Sequence, residues 1–329
     1  MPRLKGSFFM KTIGVLTSGG DAPGMNAAIR AVVRTARYYG MKVKGIRRGY
    51  KGLIYGDIFE METGDVSSTL QRGGTFLQTA RSAEFKQKDV VEKAVKTARY
   101  FGIDGIVVIG GDGSFQGAKA LSQAGIPVVG IPGTIDNDIP YTEYTIGFDT
   151  AVNTAMDAID KIRDTASSHE RCNIIQVMGR NSGAIALSAG IATGAESILV
   201  PEFPYDFEED VLRPINLGKA RNKTHFIIVV AEGVGGCEEL RDKIEEVTGI
   251  ETKLNTLGYL QRGGSPTAQD RVTASRMGSR AVELLREGKA NRIIGIKNNE
   301  MYDIDIIEGL EMKNQEPSDL ARLAKIISI

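Results

Sequence analysis

The sequence predicts an α/β fold of two doubly wound, Rossmann-like parallel sheets, each with helices on both faces. Short β-branched runs are continuously apolar instead of alternating, which is typical of strands covered on both faces. Segments with apolar residues at spacings of three and four separate these runs and indicate helices. At 329 residues the chain is also long enough for two domains of ordinary size.

The individual elements are predicted from particular runs. Strands are predicted at residues 13–16 (IGVL), 106–109 (IVVI), 128–131 (VVGI), 173–178 (NIIQVM) and 226–231 (FIIVVA). A helix is predicted over 151–167, where the apolar residues at helical spacing are Val152, Ala155, Met156, Ile159 and Ile162. Ligands of such folds bind beyond the carboxyl ends of the strands.

The domain boundaries are predicted from a break near residues 140–150, where a proline precedes a polar stretch and the long helix. We predict a larger domain of residues 10–146 and 260–310, and a smaller domain of residues 147–259 and 311–329. No low-complexity linker separates the halves, which predicts close packing with the active site in the cleft between them.

Composition excludes several classes of function. Lys plus Arg and Asp plus Glu number 41 each, so no excess charge favours nucleic acid or an anionic membrane as partner. The two cysteines, Cys172 and Cys237, lack metal or disulfide spacing and fit a reducing, cytoplasmic setting. No signal segment or apolar run of about 18 residues occurs. Residues 1–9 are interpreted as an upstream extension or a cloning remnant.

The first glycine-rich loop, residues 17–26 (TSGGDAPGMN), follows a predicted strand and opens a helix. Its bare amides and the helix N-terminus could hold a phosphate. Gly19 and Gly24 have Walker spacing, but Met25 and Asn26 replace the Lys-Ser/Thr pair, which argues against a P-loop NTPase. A glycine turn that merely closes a strand-to-helix connection is the alternative.

The second loop, residues 110–114 (GGDGS), contains Asp112 among its glycines. A bare pyrophosphate would be repelled by this carboxylate, whereas a Mg²⁺ ion between the two would remove the conflict. Asp112 as a helix N-cap is the alternative.

The third and fourth loops carry carboxylates and an arginine. In residues 132–140 (PGTIDNDIP), Asp136 and Asp138 suit a general base and a group that places metal or solvent, unless the segment is only a turn. In residues 257–266 (LGYLQRGGSP), Arg262 beside glycines suits a phosphate. Arg171 and Arg180 flank the predicted strand 173–178, with structural ion pairs as the alternative role.

Together these motifs resemble the bacterial ATP-dependent 6-phosphofructokinases. They are residues 17–26, 110–114, 132–138 (PGTIDND), 178–180 (MGR) and 261–266 (QRGGSP), in the family's order and spacing. The similarity runs from about Met10 almost to the C-terminus. The resemblance implies transfer of the γ-phosphoryl group of MgATP to the 1-hydroxyl of fructose 6-phosphate, the committing step of glycolysis.

The resemblance also implies roles for single residues. Asp136 would be the general base, Asp112 would engage Mg²⁺, and Thr134 and Arg180 would stabilise the transferring group. The larger domain would bind ATP through Gly20, Arg81, Ser82, Gly111, Asp112, Gly113 and Ser114. Pyrophosphate-dependent members typically place Asp at the position of Gly113 and Lys at that of Gly133, so the two glycines favour ATP, with pyrophosphate as the alternative donor.

The smaller domain would bind the sugar phosphate, in a homotetramer whose neighbouring subunit supplies Arg171 and Lys253. The implied contacts are Thr134, Ile135, Asp136, Arg171, Met178, Gly179, Arg180, Glu232, Lys253, Tyr259 and Arg262. Lys253 and Tyr259 stand where the family usually has Arg and His. Lysine loses the guanidinium fork and tyrosine keeps only a hydroxyl, so we predict weaker or altered fructose 6-phosphate binding.

An effector site for ADP or phosphoenolpyruvate is implied as well. Its residues would be Arg30, Arg34, Arg163, Gly194, Glu196, Arg221 and Lys223. Arg30 and Arg34 are one helical turn apart and could clamp one phosphate, or form a solvated helix face. The family pattern is lost at Thr63 and Thr224, where an arginine and a lysine are expected.

Two rival functions use the same features. A non-catalytic sugar-phosphate or nucleotide sensor would share the arginines and the glycine cradle, which is the pair of loops 17–26 and 110–114. It would gain nothing from Asp136 and Asp138 near phosphate. A dehydrogenase is suggested by the glycine spacing after Ile109, yet lacks a convincing acidic residue at the end of the next strand.

Overall fold

A computed structural model describes residues 10–313 and 318–327, so the interpretation of residues 1–9 lies outside the described residues. The described chain forms two compact units. The first contains residues 10–134, 139–147 and 264–313, and the second contains residues 135–138, 148–263 and 318–327. The segment 135–138, with Asp136, thus groups with the second unit, whereas the boundaries predicted from the sequence place it in the larger domain. The assignment of ATP to one domain and sugar phosphate to the other stays a prediction.

Eleven strands and eleven α-helices occur in these described residues. The strands are β1 (Thr12–Ser18), β2 (Lys42–Ile46), β3 (Ile58–Met61), β4 (Gly105–Gly110), β5 (Val128–Pro132), β6 (Cys172–Val177), β7 (Ser197–Leu199), β8 (Phe226–Ala231), β9 (Thr252–Thr256), β10 (Arg292–Lys297) and β11 (Glu300–Asp305). The helices are α1 (Met25–Tyr38), α2 (Gly49–Tyr55), α3 (Lys88–Tyr100), α4 (Asp112–Gln123), α5 (Phe148–His169), α6 (Ala184–Thr193), α7 (Arg213–Ala220), α8 (Cys237–Thr248), α9 (Ala268–Arg286), α10 (Ile306–Glu311) and α11 (Ser318–Ile327). The predicted strands and the predicted helix over 151–167 are confirmed, with ends shifted by a few residues. None of these helices combines the length and apolarity needed to cross a bilayer.

The first unit is built on a seven-stranded sheet in the order β11-β10-β5-β4-β1-β2-β3. Its five central strands are parallel, and every residue of β1, β4 and β5 is buried, as their continuous apolar runs predict. The edge strands β3 and β11, which were not among the predicted strands, are antiparallel. Asn298 and Asn299 join β10 to β11 with positive φ angles of 52° and 62°, the backbone of a two-residue hairpin turn.

Helices α1 and α9 of this unit pack closely together. A Cβ at Gly278 of α9 would lie 2.6 Å from the Ala28 carbonyl oxygen and 2.7 Å from the Ala31 Cβ of α1. The glycine therefore permits the close crossing, and the start of α9 lies near Gly24, the residue before α1.

The second unit is built on a four-stranded, fully parallel sheet in the order β7-β8-β6-β9. Phe226 and the other residues of β8 are buried, and α5 buries Ala155, Ile159 and Ala166. This unit confirms the prediction of a parallel sheet that helices cover.

The register of each sheet decides which loops meet. Ser18 pairs with Gly110, and Gly110 with Pro132, so the loops after β1, β4 and β5 leave the first sheet side by side. In the second sheet, Val177 pairs with Ala231 and Gln176 with Thr256, so the loops after β6, β8 and β9 are neighbours too. These are the positions where parallel sheets bind ligands.

Candidate functional site

The loops after β1 and β4 contact each other through Ser114. Its hydroxyl donates to the Ser18 carbonyl oxygen at 2.9 Å. A Cβ at Gly110 would lie 2.4 Å from both of these oxygens, so only glycine allows the approach. The two glycine-rich loops found in the sequence therefore form one continuous surface of backbone.

Helix α4 begins in this surface, with Gly111 as its N-cap and Asp112 as its first residue. The alternative role of Asp112 as the N-cap is therefore wrong. Its side chain is exposed, at the end of the helix where the helix dipole is positive. A Cβ at Gly113 would meet no protein atom within 4 Å, so the space beside this backbone is open.

Asn26 explains why the loop after β1 departs from a Walker sequence. The side chain is buried and donates to the carbonyl oxygens of Arg72 and Gly73 at 3.1 and 3.2 Å. Its own oxygen accepts the Phe76 amide at 2.9 Å. Asn26 thus anchors the segment that leads to Arg81 and Ser82, a role that the motif search missed.

Tyr50 is a second anchor of this surface that the sequence analysis did not identify. Its ring stacks on Phe85 with centroids 4.2 Å apart, and its hydroxyl donates to the Ser114 carbonyl oxygen. Burial raises the pKa of this hydroxyl well above its usual range, so it stays a donor. A Cβ at Gly117 would lie 2.6 Å from the Tyr50 ring. Packing against Tyr50 therefore disfavours a side chain at position 117.

The loop after β5 carries the two predicted carboxylates in different surroundings. Asp136 is only 4 % exposed, whereas Asp138 is partly exposed. Thr134 is partly exposed, and Ile135 is fully buried. The loop therefore presents one buried and one more solvated carboxylate, two residues apart.

Four of the predicted sugar contacts come together beyond β6 and β8. Glu232 accepts the amides of Gly179 and Arg180 at 3.2 and 2.7 Å. The buried Gln261 accepts the Met178 amide at 3.2 Å. Gly179 and Arg180 have positive φ angles of 142° and 55°. Glu232 and Gln261 therefore hold a turn that presents the exposed Arg180 side chain.

Tyr259 and Arg262 lie on a neighbouring short 3₁₀ turn, Gly258–Arg262, after β9. Gln261 of this turn also donates to the Gly258 carbonyl oxygen at 3.1 Å. Tyr259 is 82 % exposed. Gln261 thus links this turn to the one that carries Arg180.

Arg171 and Lys253 lie at the opposite edge of the same sheet. Arg171 precedes β6 and Lys253 is the second residue of β9, so both are at the amino ends of strands whose carboxyl ends carry the other contacts. The six residues of β6 separate Arg171 from Met178, a distance of ~20 Å at the usual strand rise. Each cation pairs with Glu251 at 2.7 Å. Hydrogen bonds from Arg171 and then Lys253 lower the pKa of Glu251 to about 2.

The predicted effector residues of the second unit form a cluster. The Arg163 guanidinium donates to the Thr193 carbonyl oxygen at 2.5 Å and contacts that of Gly194 at 3.5 Å. Glu196 pairs with Lys223 and accepts the Ile227 amide at 2.6 Å. His225, which the sequence reasoning missed, lies among these groups; burial and then Lys223 lower its pKa.

The other predicted effector residues are less closely tied to this cluster. Arg221 is exposed in the turn after α7. Arg30 and Arg34 lie on α1 of the first unit, where burial and the charge of Arg34 lower the pKa of Arg30. Their shared helix face is confirmed, and their effector role stays a prediction.

Comparison with known proteins connects this geometry to a family. Residues 12–285 match the family model described as "Phosphofructokinase". The ATP-dependent 6-phosphofructokinase of Clostridium novyi is 60 % identical over 319 residues, which cover 97 % of this chain and 100 % of that protein.

Solved structures show the same fold. The phosphofructokinase of Pichia pastoris superposes with a TM-score of 0.88 at 35 % identity, over 100 % of this chain and 41 % of that one, so this chain spans less than half of the yeast protein's length. A pyrophosphate-dependent phosphofructokinase from Marinobacter aquaeolei superposes with a TM-score of 0.84 at 24 % identity, covering 94 % and 86 % of the two chains. At that identity the likeness concerns the fold alone. With the family model matching most of its length, the chain belongs to the phosphofructokinase family.

Proposed function

We propose that this chain transfers the γ-phosphoryl group of ATP to the 1-hydroxyl of fructose 6-phosphate, giving fructose 1,6-bisphosphate. The observation that carries the proposal is the register of the first sheet. It sets a glycine cradle, the exposed Asp112 and the loop that leads to Asp136 side by side. The activity named for the Clostridium novyi relative supports the same reaction.

The first unit offers a polyphosphate site of backbone amides. The loops around Gly20 and Gly111 and the N-terminus of α4 favour negative charge. Arg81 and Ser82 extend the site from the segment that Asn26 anchors. Gly113, with no protein atom near its missing side chain, leaves room for phosphate.

Asp112 suits a Mg²⁺ ion bound with the nucleotide. Magnesium typically binds to one or two carboxylates plus phosphate oxygens and keeps several waters, so a single exposed Asp beside the cradle fits it. When bound, the ion neutralises charge on the phosphate oxygens. Asp112 holds the metal, and the amides of α4 hold the phosphates.

Residues around the third loop perform the transfer. Asp136 accepts the proton of the sugar 1-hydroxyl, which makes that oxygen a better nucleophile. Thr134 and Arg180 stabilise the negative charge of the transferring group, while Asp138 places metal or solvent. Positioning dominates this chemistry because phosphoryl transfer requires little covalent assistance.

The sugar phosphate is bound by residues from two subunits. Met178, Gly179, Glu232, Tyr259 and Arg262 bind it from one chain. Arg171 and Lys253 lie at the amino ends of β6 and β9, ~20 Å away between backbones, a separation that favours their binding the substrate of another copy. A neighbouring copy therefore supplies them, in the homotetramer. ADP or phosphoenolpyruvate binds as effector to the cluster around Glu196.

A coupled assay tests the function. Purified wild type is expected to form ADP only when ATP, Mg²⁺ and fructose 6-phosphate are all present. Asp136→Asn should lower kcat by about 10²- to 10⁴-fold, the usual contribution of a general base. The matched control, Asp157→Asn, removes an exposed carboxylate of α5 and should leave kcat unchanged.

Three results would contradict the proposal. Turnover with pyrophosphate but not ATP would identify the other donor class. Binding of both ligands without turnover would identify a sensor. Full activity in Asp136→Asn would show that Asp136 is not the general base.

A further inference from the structure

Asp270 is a fully buried carboxylate in the first turn of α9, and the proposed reaction does not use it. A buried carboxylate is stable only where hydrogen bonds replace its lost water. One of its oxygens, Oδ1, accepts the Tyr144 hydroxyl at 2.6 Å and the Gly147 amide at 2.7 Å. These partners are 126 and 123 residues away in sequence. The carboxylate therefore fixes a distant chain segment to α9.

That segment, residues 142–147, is here named the strap. The strap lies along the backbone that leads to the general base. The Thr145 hydroxyl donates to the Thr134 carbonyl oxygen at 2.7 Å, and the Ile146 amide donates to that of Pro132 at 3.0 Å. Gly133 forms a parallel bridge with Ile146. The strap thus holds Pro132, Gly133 and Thr134, and Thr134 lies two positions before Asp136.

The strap also contacts the glycine cradle. Gly24, the N-cap of α1, has a φ of 105°. A Cβ there would lie 2.6 Å from the Ile146 Cγ2 atom and 3.5 Å from the Asp270 Cβ. The strap therefore contacts both the loop of Gly24 and the loop of Thr134. Asp270 in turn binds the strap through Tyr144 and Gly147.

We propose that Asp270 is a positioning residue for phosphoryl transfer, acting through the strap on Thr134 and on the cradle loop. This inference rests on the proposed function. Hydrogen bonds to a charged acceptor are stronger than neutral ones, so the carboxylate holds the strap at Tyr144 and Gly147 more firmly than a neutral residue would. Displacing reacting groups by about 1 Å can lower a rate ~10²-fold without direct contact.

The test compares three variants with wild type. Asp270→Ala removes both hydrogen bonds to the strap. Asp270→Asn keeps an oxygen that can accept them but removes the charge. Thr267→Ala is the matched control, because Thr267 caps the same helix turn by accepting the Asp270 amide. Each protein is assayed for kcat and KM well below its Tm, and hydrogen exchange of the Ile146 and Gly147 amides is followed.

We expect Asp270→Ala to lower kcat by about 10- to 100-fold, with both KM values within about twofold of wild type. Its Ile146 and Gly147 amides should exchange faster. Asp270→Asn should recover most of kcat. If the alanine variant does not fold, the asparagine variant is compared with wild type instead. Thr267→Ala should lower Tm while leaving kcat and the exchange of these amides unchanged.

Other results would overturn the inference. An unchanged kcat in Asp270→Ala, or an equal loss in Thr267→Ala, would show that Asp270 serves stability alone. Failure of the proposed function is distinguishable, because wild type would then form no ADP with fructose 6-phosphate. Hydrogen exchange would still report whether Asp270 holds the strap.

Discussion

Gly113 and Gly133, the two glycines that favour ATP over pyrophosphate, differ in what the fold requires of them. A Cβ at Gly133 would lie 3.2 and 3.3 Å from Ile109 and Met25, so packing already disfavours a side chain there. At Gly113 a Cβ would meet nothing, and no positive φ is needed. Packing therefore does not require glycine at position 113, and under the proposed function the nucleotide explains the missing side chain.

Substitution at Gly113 should change donor binding without changing stability. Gly113→Asp places a carboxylate beside the phosphates, and like charges in contact should raise KM for ATP about tenfold or more. Gly113→Ala should have a smaller effect, and neither should lower Tm. The control, Gly110→Ala, should lower the free energy of unfolding by about 1–3 kcal/mol through overpacking. Steady-state kinetics and thermal unfolding check this; an unchanged KM for ATP in Gly113→Asp would refute it.

Glu251 should keep its charge at unusually low pH. Arg171 and then Lys253 lower its pKa from 4.5 to about 2, so the folded chain binds this proton less readily than the unfolded chain. The ion pairs therefore stabilise the fold above about pH 4.5, and this stabilisation is lost as pH falls toward 2. Because the carboxylate is solvent-exposed, the gain in stability is small.

Carbon NMR of labelled glutamate measures this pKa. At about pH 4, where an ordinary glutamate is more than half protonated, the Glu251 resonance should still be that of the ionised form. Arg171→Ala should raise the titration midpoint, and so should 1 M salt, which screens the pair. A midpoint near 4.5 in wild type would contradict the prediction.

At the scale of elements, the sequence predicts what local pattern encodes. The runs that became β1, β4, β5 and β8 are apolar throughout because both faces of each strand are covered, and that pattern needs no tertiary information. The antiparallel edge strands β3 and β11 were not predicted, since their partly exposed faces lack a long apolar run. The Asn298-Asn299 pair was the available signal for the β11 hairpin.

The residues of the site also divide into those that the sequence pattern indicates and those that it does not. Glycines and carboxylates that follow strands could be found from sequence, because the ends of parallel strands are where ligands bind. Asn26, Tyr50 and Asp270 could not, because each acts on a segment that only folding brings near. The Met25-Asn26 departure from a Walker loop was a signal that this loop had another task, but it did not say which.

At the scale of the whole molecule, the second sheet separates the sugar-phosphate contacts into two groups. Glu232 and Arg262 follow the carboxyl ends of β8 and β9, while Arg171 and Lys253 lie at the amino ends of β6 and β9. The six-residue strand β6 separates the backbones of the two groups by ~20 Å. Under the proposed function, one chain would hold half of each of two sites, which predicts that an isolated subunit is inactive.

Mixing two inactive variants tests this arrangement. Arg171→Ala and Arg262→Ala should each lose fructose 6-phosphate binding, because each removes a phosphate contact. After dissociation and joint reassembly, a symmetric pair of unlike subunits contains one intact site and one doubly defective site. Random pairing should therefore restore about a quarter of wild-type activity. Native mass spectrometry verifies the hybrids, and Arg171→Ala reassembled alone is the control. Hybrids without recovered activity would show that each chain builds its sugar site alone, and the separation across the sheet would then need another explanation.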